Sequence, residues 1–268
     1  MGKTFLKWAG GKRWLVNSES YRFPTKYNRY IEPFLGGGAV FFFIEPKKAI
    51  LSDSNSELID TYIAVRDNVD LVYRNLRIHS NKHSKEYYYQ IRKRRPRTLH
   101  TLAARMIYLN KTCFNGIYRV NREGKFNVPF GTHDEIYFDK DDLQKSSTVL
   151  QGAEILCQDF EITVNLAMKN DFLFCDPPYA VVDEENRFVS YNADAFSWQD
   201  QERLSSALIR AKDRGVKILM TNVDHPAVRK LYENIDGFVL DTVERQCYIS
   251  GTVEGRKAYQ ELIVSANM

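Results

Sequence analysis

The amino-acid sequence predicts a doubly wound α/β fold interrupted by a helical and hairpin insertion, and three observations carry that expectation. Short apolar runs at 30–34 ("YIEPF"), 49–53 ("AILSD") and 171–175 ("DFLFC") have the length of buried parallel strands, not of helices. The first run feeds a glycine turn, "LGGG" (35–38), that opens a short helix, which is how a nucleotide-binding sheet begins. Between residues 55 and 148 the strand-like runs give way to helical spacing, and afterwards they return. Residues 1–54 and 149–268 are therefore assigned to a sheet domain and 55–148 to an inserted one. A chain of 268 residues suits one α/β body with a sizeable insertion better than two independent domains.

The elements follow in chain order. "AVFFFIE" (39–45) reads as a helix stopped by Pro46, with "AILSD" the strand after it. "SNSE" (54–57) has the form of a capping box and opens helical spacing over 56–110, broken near Asn68, at 79–82 and at Pro96. In "NGIYRVNREGKFNVPFG" (115–131), β-branched and aromatic residues flank "REGK", the pattern of a hairpin. Strands are expected again at 153–158, 171–175 and 216–222, with "WQDQERLSSALIRAKDRG" (198–215) an amphipathic helix between the last two. Two further strands, at 237–250 and 258–266, are joined by the turn-forming "GTVEGRK" (251–257).

Composition narrows the class of protein. With 44% hydrophobic and 27% charged residues and no low-complexity run, the chain is expected to be globular and not disordered. No apolar run approaches the roughly 20 residues of a membrane span. "MGKTFLKWAGGKRW" (1–14) lacks the apolar core of a signal peptide, so a cytoplasmic protein with no membrane partner is expected. Cys113, Cys157, Cys175 and Cys247 lie far apart and form no CxxC pair; reduced, mostly buried thiols and no metal site follow. The net charge of +4 hides an asymmetry. Residues 78–125 carry 12 Lys/Arg against 2 Asp/Glu, whereas everything outside 55–148 carries 21 against 23. A basic segment in a slightly acidic body suits a polyanion such as nucleic acid, although a solvated face would have the same composition.

Two short motifs carry chemistry. Gly36, Gly37 and Gly38 follow Glu32, Pro33 and Phe34 at a strand-to-helix turn, where a cofactor can approach the backbone and the helix N-terminus. Phe41 occupies the third position of a GxGxxG/A fingerprint, which disfavours a dinucleotide, and "WAGGKR" (8–13) lacks the glycine and the hydroxyl residue of a phosphate loop. Asp53, at the end of the next strand, is placed to accept hydrogen bonds from ribose. An adenosine-containing cofactor without a pyrophosphate satisfies both observations; so does a structural turn with a capping aspartate. "DPPY" (176–179) then follows a buried strand directly. Neither Pro177 nor Pro178 has an N–H, so the turn presents acceptors: the Asp176 carboxylate and the Pro177 carbonyl can both accept from one amino group. Such acceptors favour a pyramidal amino nitrogen with its lone pair aimed at an electrophile, and Tyr179 offers a ring for an extruded base to stack on. A surface turn without function would also contain these residues.

"KWAGGK" (7–12), "EPFLGGG" (32–38), "LSDSNSELI" (51–59), "LNKTCFNGIYRVNREGKFNVPFG" (109–131), "QDF" (158–160) and "CDPPY" (175–179) together resemble, in order and over nearly the whole chain, the blocks of the Dam family of DNA adenine methyltransferases. The resemblance implies a Rossmann-like methyltransferase sheet, S-adenosylmethionine as methyl donor, and adenine N6 in double-stranded DNA as acceptor, with base flipping. It also implies residue roles. Trp8, Gly11 and Lys12 would line the cofactor pocket with Glu32, Pro33, Phe34 and Gly36–Gly38. Asp53 would hold the ribose, Asp159 and Phe160 would flank the adenine ring, and Asp176 would touch cofactor and target base. Phe114, where relatives often have tyrosine, would insert into the duplex beside Asn115. Arg119 would read a guanine, Ile117, Asn121 and Pro129 would contact the site, and Lys7 would read the outer guanine of GATC. Related enzymes suggest that a monomer suffices.

Alternatives remain at this point. Cytosine C5 chemistry needs a thiolate, usually in a Pro-Cys pair, and no cysteine here follows proline. Cytosine N4 methylation is the nearest enzymatic rival. A catalytically inactive DNA-binding protein is the rival of a different class.

Overall fold

The computed structural model of the chain describes residues 3–8, 10–16, 23–121, 123–132, 135–182, 188–190, 196–246 and 258–268. Its central strands are short and apolar: β1 (Tyr30–Glu32) and β4 (Phe172–Cys175) are buried along their whole length, as is β2 (Ala49–Asp53) up to its last residue. Together with β3 (Ala153–Cys157), β7 (Lys217–Val223), β8 (Phe238–Gln246) and β9 (Ala258–Ala266) they form a seven-stranded sheet of order β3-β2-β1-β4-β7-β9-β8. β1 pairs in parallel with β2 (Ile31↔Ile50) and with β4 (Ile31↔Leu173), and β4 in parallel with β7 (Leu173↔Ile218). β9 runs antiparallel to both β7 and β8, wedged between them. The strand order reverses between β1 and β4, and in open α/β sheets ligands bind outside the carboxyl ends of strands at such a reversal. The expected α/β architecture is therefore present, with one antiparallel pair of strands at its edge. Among the described residues no helix is long and apolar enough to cross a membrane.

Packing divides the chain into two compact units. The first comprises 1–21, 35–47 and 53–157 and the second 22–34, 48–52 and 158–268.

In the first unit, α1 (Arg13–Val16) packs on α2 (Ala39–Ile44), and α3 (Ser56–Asn81) packs on α5 (Leu99–Thr112) and α6 (Lys140–Leu150). α3 buries Leu58, Ile59, Tyr62, Val65, Val72 and Leu76, a stripe at three- and four-residue spacing that faces its partners. The breaks expected in 56–110 are all present. Asn68 leaves helical geometry inside α3 (φ −141°), α4 (Lys85–Lys93) begins after a Ser84 cap, and Pro96 falls between α4 and α5. The cap of α3 differs from expectation: Asn55, not Ser54, accepts the Leu58 N–H, and Glu57 serves elsewhere.

The expected hairpin is an arm held by two isolated antiparallel bridges, Cys113↔Phe130 and Val120↔Phe126, instead of regular strands. Its root is tied to α4, because the Tyr88 hydroxyl and the Arg92 guanidinium both donate to the Val128 carbonyl, at 2.9 and 3.0 Å.

In the second unit, α7 (Phe160–Asn165) packs on α8 (Trp198–Asp213), and β5 (Ala180–Val182) pairs with β6 (Phe188–Ser190) just beyond "DPPY". α8 opens on a complete capping box between Ser197 and Asp200. α9 (Pro226–Lys230) follows β7. Of the described cysteines, Cys113 and Cys175 are buried and Cys157 is exposed, all with free thiols. Cys247, Arg122 and the turn 251–257 lie outside the described residues.

Candidate functional site

The glycine loop belongs to the first unit. Gly36 and Gly38 have φ of +46° and +62°, the left-handed region that side chains rarely enter, and Gly38 caps α2. The Gly36 N–H donates to Asp53 Oδ2 at 3.1 Å and the Asn55 N–H to Asp53 Oδ1 at 3.0 Å, so the strand-end carboxylate holds the loop. Burial pushes the Asp53 carboxyl above its ordinary value, and these backbone donors pull it back. The loop is also tightly covered. A Cβ on Gly36 would lie 2.8 Å from Trp8 Cδ1, and one on Gly38 would lie 2.9 Å from the Tyr62 hydroxyl. Trp8 in turn stacks on Tyr118, with ring centroids 5.0 Å apart and planes at 20°. Lys12, 2% exposed, donates to the Gly10 carbonyl at 2.9 Å, and the Gly11 N–H donates to the Trp8 carbonyl at 3.2 Å.

On the arm, Phe114 (50% exposed), Asn115, Ile117, Arg119, Asn121 and Pro129 all face solvent. Asn115 and Gly116 are consecutive left-handed residues, with φ of +56° and +66°, that turn the chain at the arm's root. Arg119 is steadied by a bond from its Nε to Asn127 Oδ1 at 2.9 Å. The Asn121 side chain accepts the N–H groups of Glu123 and Lys125 and so shapes the turn. In the basic run 92–97, Arg92 lies over the Tyr89 ring and bonds Val128, whereas Lys93, Arg94, Arg95 and Arg97 are exposed.

The acidic turn belongs to the second unit. Asp176 follows the last residue of β4, and the Thr221 hydroxyl of β7 donates to its Oδ1 at 3.0 Å. Pro177 is buried, Pro178 exposed and Tyr179 half-buried. β4 is fixed at its other end by Asp171, 1% exposed, whose carboxylate accepts from the backbone and guanidinium of Arg29 and from the Met168 N–H. At the end of β1, Glu32 is buried and accepts the Tyr30 hydroxyl at 2.8 Å, and the Pro33 carbonyl accepts from Ser52. Phe34 stacks on Phe160 (5.2 Å, 25°), Phe196 closes on both rings, and the Arg203 guanidinium lies 4.8 Å over Phe160. Asp159 caps α7 through the Glu161 N–H and pairs with Arg203 at 2.8 Å. Cys175 is buried with its thiol pushed well above the ordinary value by burial, which removes it as a thiolate nucleophile.

Within the first unit the structure thus brings together Trp8, Gly36, Gly37 and Asp53. Within the second it brings together Phe34 with Phe160 and Asp176 with Thr221. Sequence reasoning missed Thr221, for which no local signal exists, and Asn110, Glu57 and Arg105. The available signal for Arg105 was a guanidinium inside the apolar stretch "AARMIYL" (103–109), which demanded a buried partner.

Residues 8–247 match the family model described as D12 class N6 adenine-specific DNA methyltransferase. The chain is 37% identical over 243 residues to Type II methyltransferase M1.LlaDCHI of Lactococcus lactis subsp. cremoris, covering 87% of this chain and 86% of that protein. It is 35% identical to Type II methyltransferase M.MjaIII of Methanocaldococcus jannaschii, covering 98% and 99%. To the DNA adenine methylase of Haemophilus influenzae it is also 35% identical, covering 97% and 92%.

Proposed function

Because the chain belongs to the D12 class of N6 adenine-specific DNA methyltransferases, we propose that it transfers the methyl group of S-adenosylmethionine to adenine N6 in duplex DNA, within GATC, after the target base has left the stack. The observation that carries this reading is Asp176, an acceptor at the carboxyl end of β4 beside the reversal of strand order, with its Oδ1 held by Thr221. In this reading Asp176 and the Pro177 carbonyl accept the two hydrogens of the adenine amino group and keep its lone pair out of the ring's conjugation. Tyr179 stacks on the extruded base. Pro178 holds the turn extended so that both acceptors point one way.

The residues present fit the methyl donor. A carboxylate offers about four lone-pair positions, and the backbone N–H groups of Gly36, Asn55 and Ser54 use three on Asp53, so capacity for a ribose hydroxyl remains. Taken separately, the second unit offers in Phe34 and Phe160 an apolar pair suited to adenine, with Asp159 next in sequence, and the first offers in Lys12 a buried cation suited to a carboxylate. When bound, S-adenosylmethionine supplies an electrophilic methyl group on sulfur. In this reading Gly11 and the glycine loop contribute backbone contacts from the first unit, and Glu32 and Pro33 contribute theirs from the second. Residues 1–54 and 149–268 form the catalytic part in this reading and 55–148 the duplex-binding part, which the 12-to-2 basic excess over 78–125 supports. The enzyme would act as a cytoplasmic monomer, and needs no metal because an amino nitrogen attacking a sulfonium methyl builds up no anion to be neutralised.

Incubation with methyl-labelled S-adenosylmethionine and duplexes with or without GATC tests this. Label is expected as N6-methyladenine in the GATC duplex only; equal labelling of both duplexes overturns the sequence specificity.

Arg119→Ala is expected to cost about 1–3 kcal/mol of discrimination between GATC and a site with its guanine replaced, while nonspecific affinity changes little. Replacing Lys93, Arg94, Arg95 and Arg97 together with glutamine should instead weaken binding to all duplexes and flatten its salt dependence, by about 0.9 in log–log slope for each phosphate that is no longer neutralised. Arg92 is left in place because it supports the arm. An unchanged slope would assign the four side chains to solvent.

A further inference from the structure

Lys7 and Trp8 are consecutive residues with separate tasks in the proposed reaction, one on the duplex side and one against the glycine loop. Lys7 is gripped from the C-terminal turn of α5, which leads into the arm, and Trp8 from the arm itself. The Lys7 N–H donates to Asn110 Oδ1 and the Lys7 carbonyl accepts from Asn110 Nδ2, each at 2.8 Å, and the same Nδ2 donates to the Gly116 carbonyl at 3.2 Å. Asn110 is 2% exposed, so these bonds are shielded from water. A Cβ on Gly116 would fall 2.5 Å from Lys7 Cδ, which shows how closely the arm's root and the lysine stem meet.

Trp8 is held from the other side by Tyr118, which sits in the arm between Ile117 and Arg119 and stacks on the indole. The Tyr118 hydroxyl donates to Glu57 Oε2 at 2.8 Å, and Glu57 Oε1 accepts from Arg105 Nη1 at 2.9 Å. Arg105 is anchored on the carbonyls of Ile91 and Arg92, at 3.1 and 2.8 Å. The Asn55 side chain is a further hydrogen-bond partner of Tyr118, and the Asn55 N–H donates to Asp53. Contacts therefore run without interruption from the arm to the glycine loop and to the strand-end carboxylate. Because Gly36 and Gly37 have no side chains to yield, displacement of the indole is transmitted to the loop backbone.

We propose that Tyr118 is a positioning residue that couples duplex engagement at the arm to methyl-donor binding at the glycine loop, with Asn110 fixing the Lys7–Trp8 segment between them. This coupling rests on the reaction proposed above. It is reciprocal, so it can be read from either ligand.

The test is the affinity of the full-length protein for S-adenosylhomocysteine, measured by calorimetry with and without a GATC duplex, in wild type, Tyr118→Phe and Tyr118→Ala. Wild type is expected to bind about tenfold tighter with duplex present, within the usual range of coupling. Tyr118→Phe keeps the stack but loses the Glu57 bond, and is expected to cut that ratio about threefold; Tyr118→Ala should bring it close to one. Full coupling in Tyr118→Phe, or none in wild type, overturns the proposal. Adenine methylation by wild type, assayed on the same duplex, reports separately on the underlying reaction: its absence would defeat that reading whatever the ratio shows. A merely structural role for Tyr118 would lower the thermal midpoint of both variants and leave the ratio unchanged, which also overturns the coupling.

Discussion

Asp176→Ala is expected to lower kcat by about a hundredfold or more while the Kd for a GATC duplex at low salt moves by less than about threefold. The reason lies in what the carboxylate contributes. In the proposed reaction the carboxylate, fixed by Thr221, is aligned before substrate arrives, so its bond to the amino group would strengthen as the nitrogen pyramidalises and gains positive charge. In the proposed reading duplex affinity comes instead from phosphate contacts and the arm, which belong to the first packing unit. Single-turnover methylation and fluorescence anisotropy on the same preparation separate the two. A variant that still methylates at more than about a tenth of the wild-type rate would remove Asp176 from the chemistry. Asp176→Asn should fall between the two, since its amide oxygen can accept but carries no charge.

The second large effect is on stability. Asp171→Ala is expected to cost about 3 kcal/mol. The carboxylate is 1% exposed and accepts from the Arg29 backbone N–H, the Arg29 guanidinium and the Met168 N–H. Removing one partner of a buried pair typically costs about 3–5 kcal/mol. The Arg29 side chain is 34% exposed and regains water, which places the effect at the low end. For a chain of 268 residues that corresponds to a thermal midpoint lowered by roughly 5 °C. Since β4 starts one residue later and delivers Asp176, the variant tests whether the strand's far anchor matters to the site. Thermal denaturation followed by circular dichroism measures the shift, and a midpoint within about 2 °C of wild type would show that Arg29 and Met168 find other acceptors at no cost.

The parts of the fold that were legible in the sequence are those dictated by local pattern. The buried strands announced themselves as apolar runs, the helix breaks lay at Asn68 and Pro96, and "DPPY" stood where β4 ends. The family was readable from six ordered blocks, and the relatives named DNA adenine methylase remove cytosine N4 as the reading of the chain. Long-range pairing was not readable. Helix α6 has its N-cap at Asp139, and α7 and α9 are six and five residues long, too short for periodicity to register. The capping-box pattern at 54–57 suggested a local use for Glu57, but Asn55 took the cap, and Glu57 turned to Tyr118 and Arg105, 61 and 48 residues away in sequence. No local rule distinguishes a glutamate that caps its own helix from one that bonds a distant arm.

The arm that carries Arg119 is held by Tyr88 and Arg92 at its root, by backbone bonds and isolated bridges between its two limbs, and by Tyr118, whose ring and hydroxyl reach Trp8 and Glu57. Its exposed side chains are therefore largely excused from holding the protein together. In the proposed reaction they can be exchanged one at a time, and the bases addressed changed, without first compensating for a weakened core. If the arm reads bases as proposed, that separation makes it the place where new sequence preferences can arise at little cost to the fold.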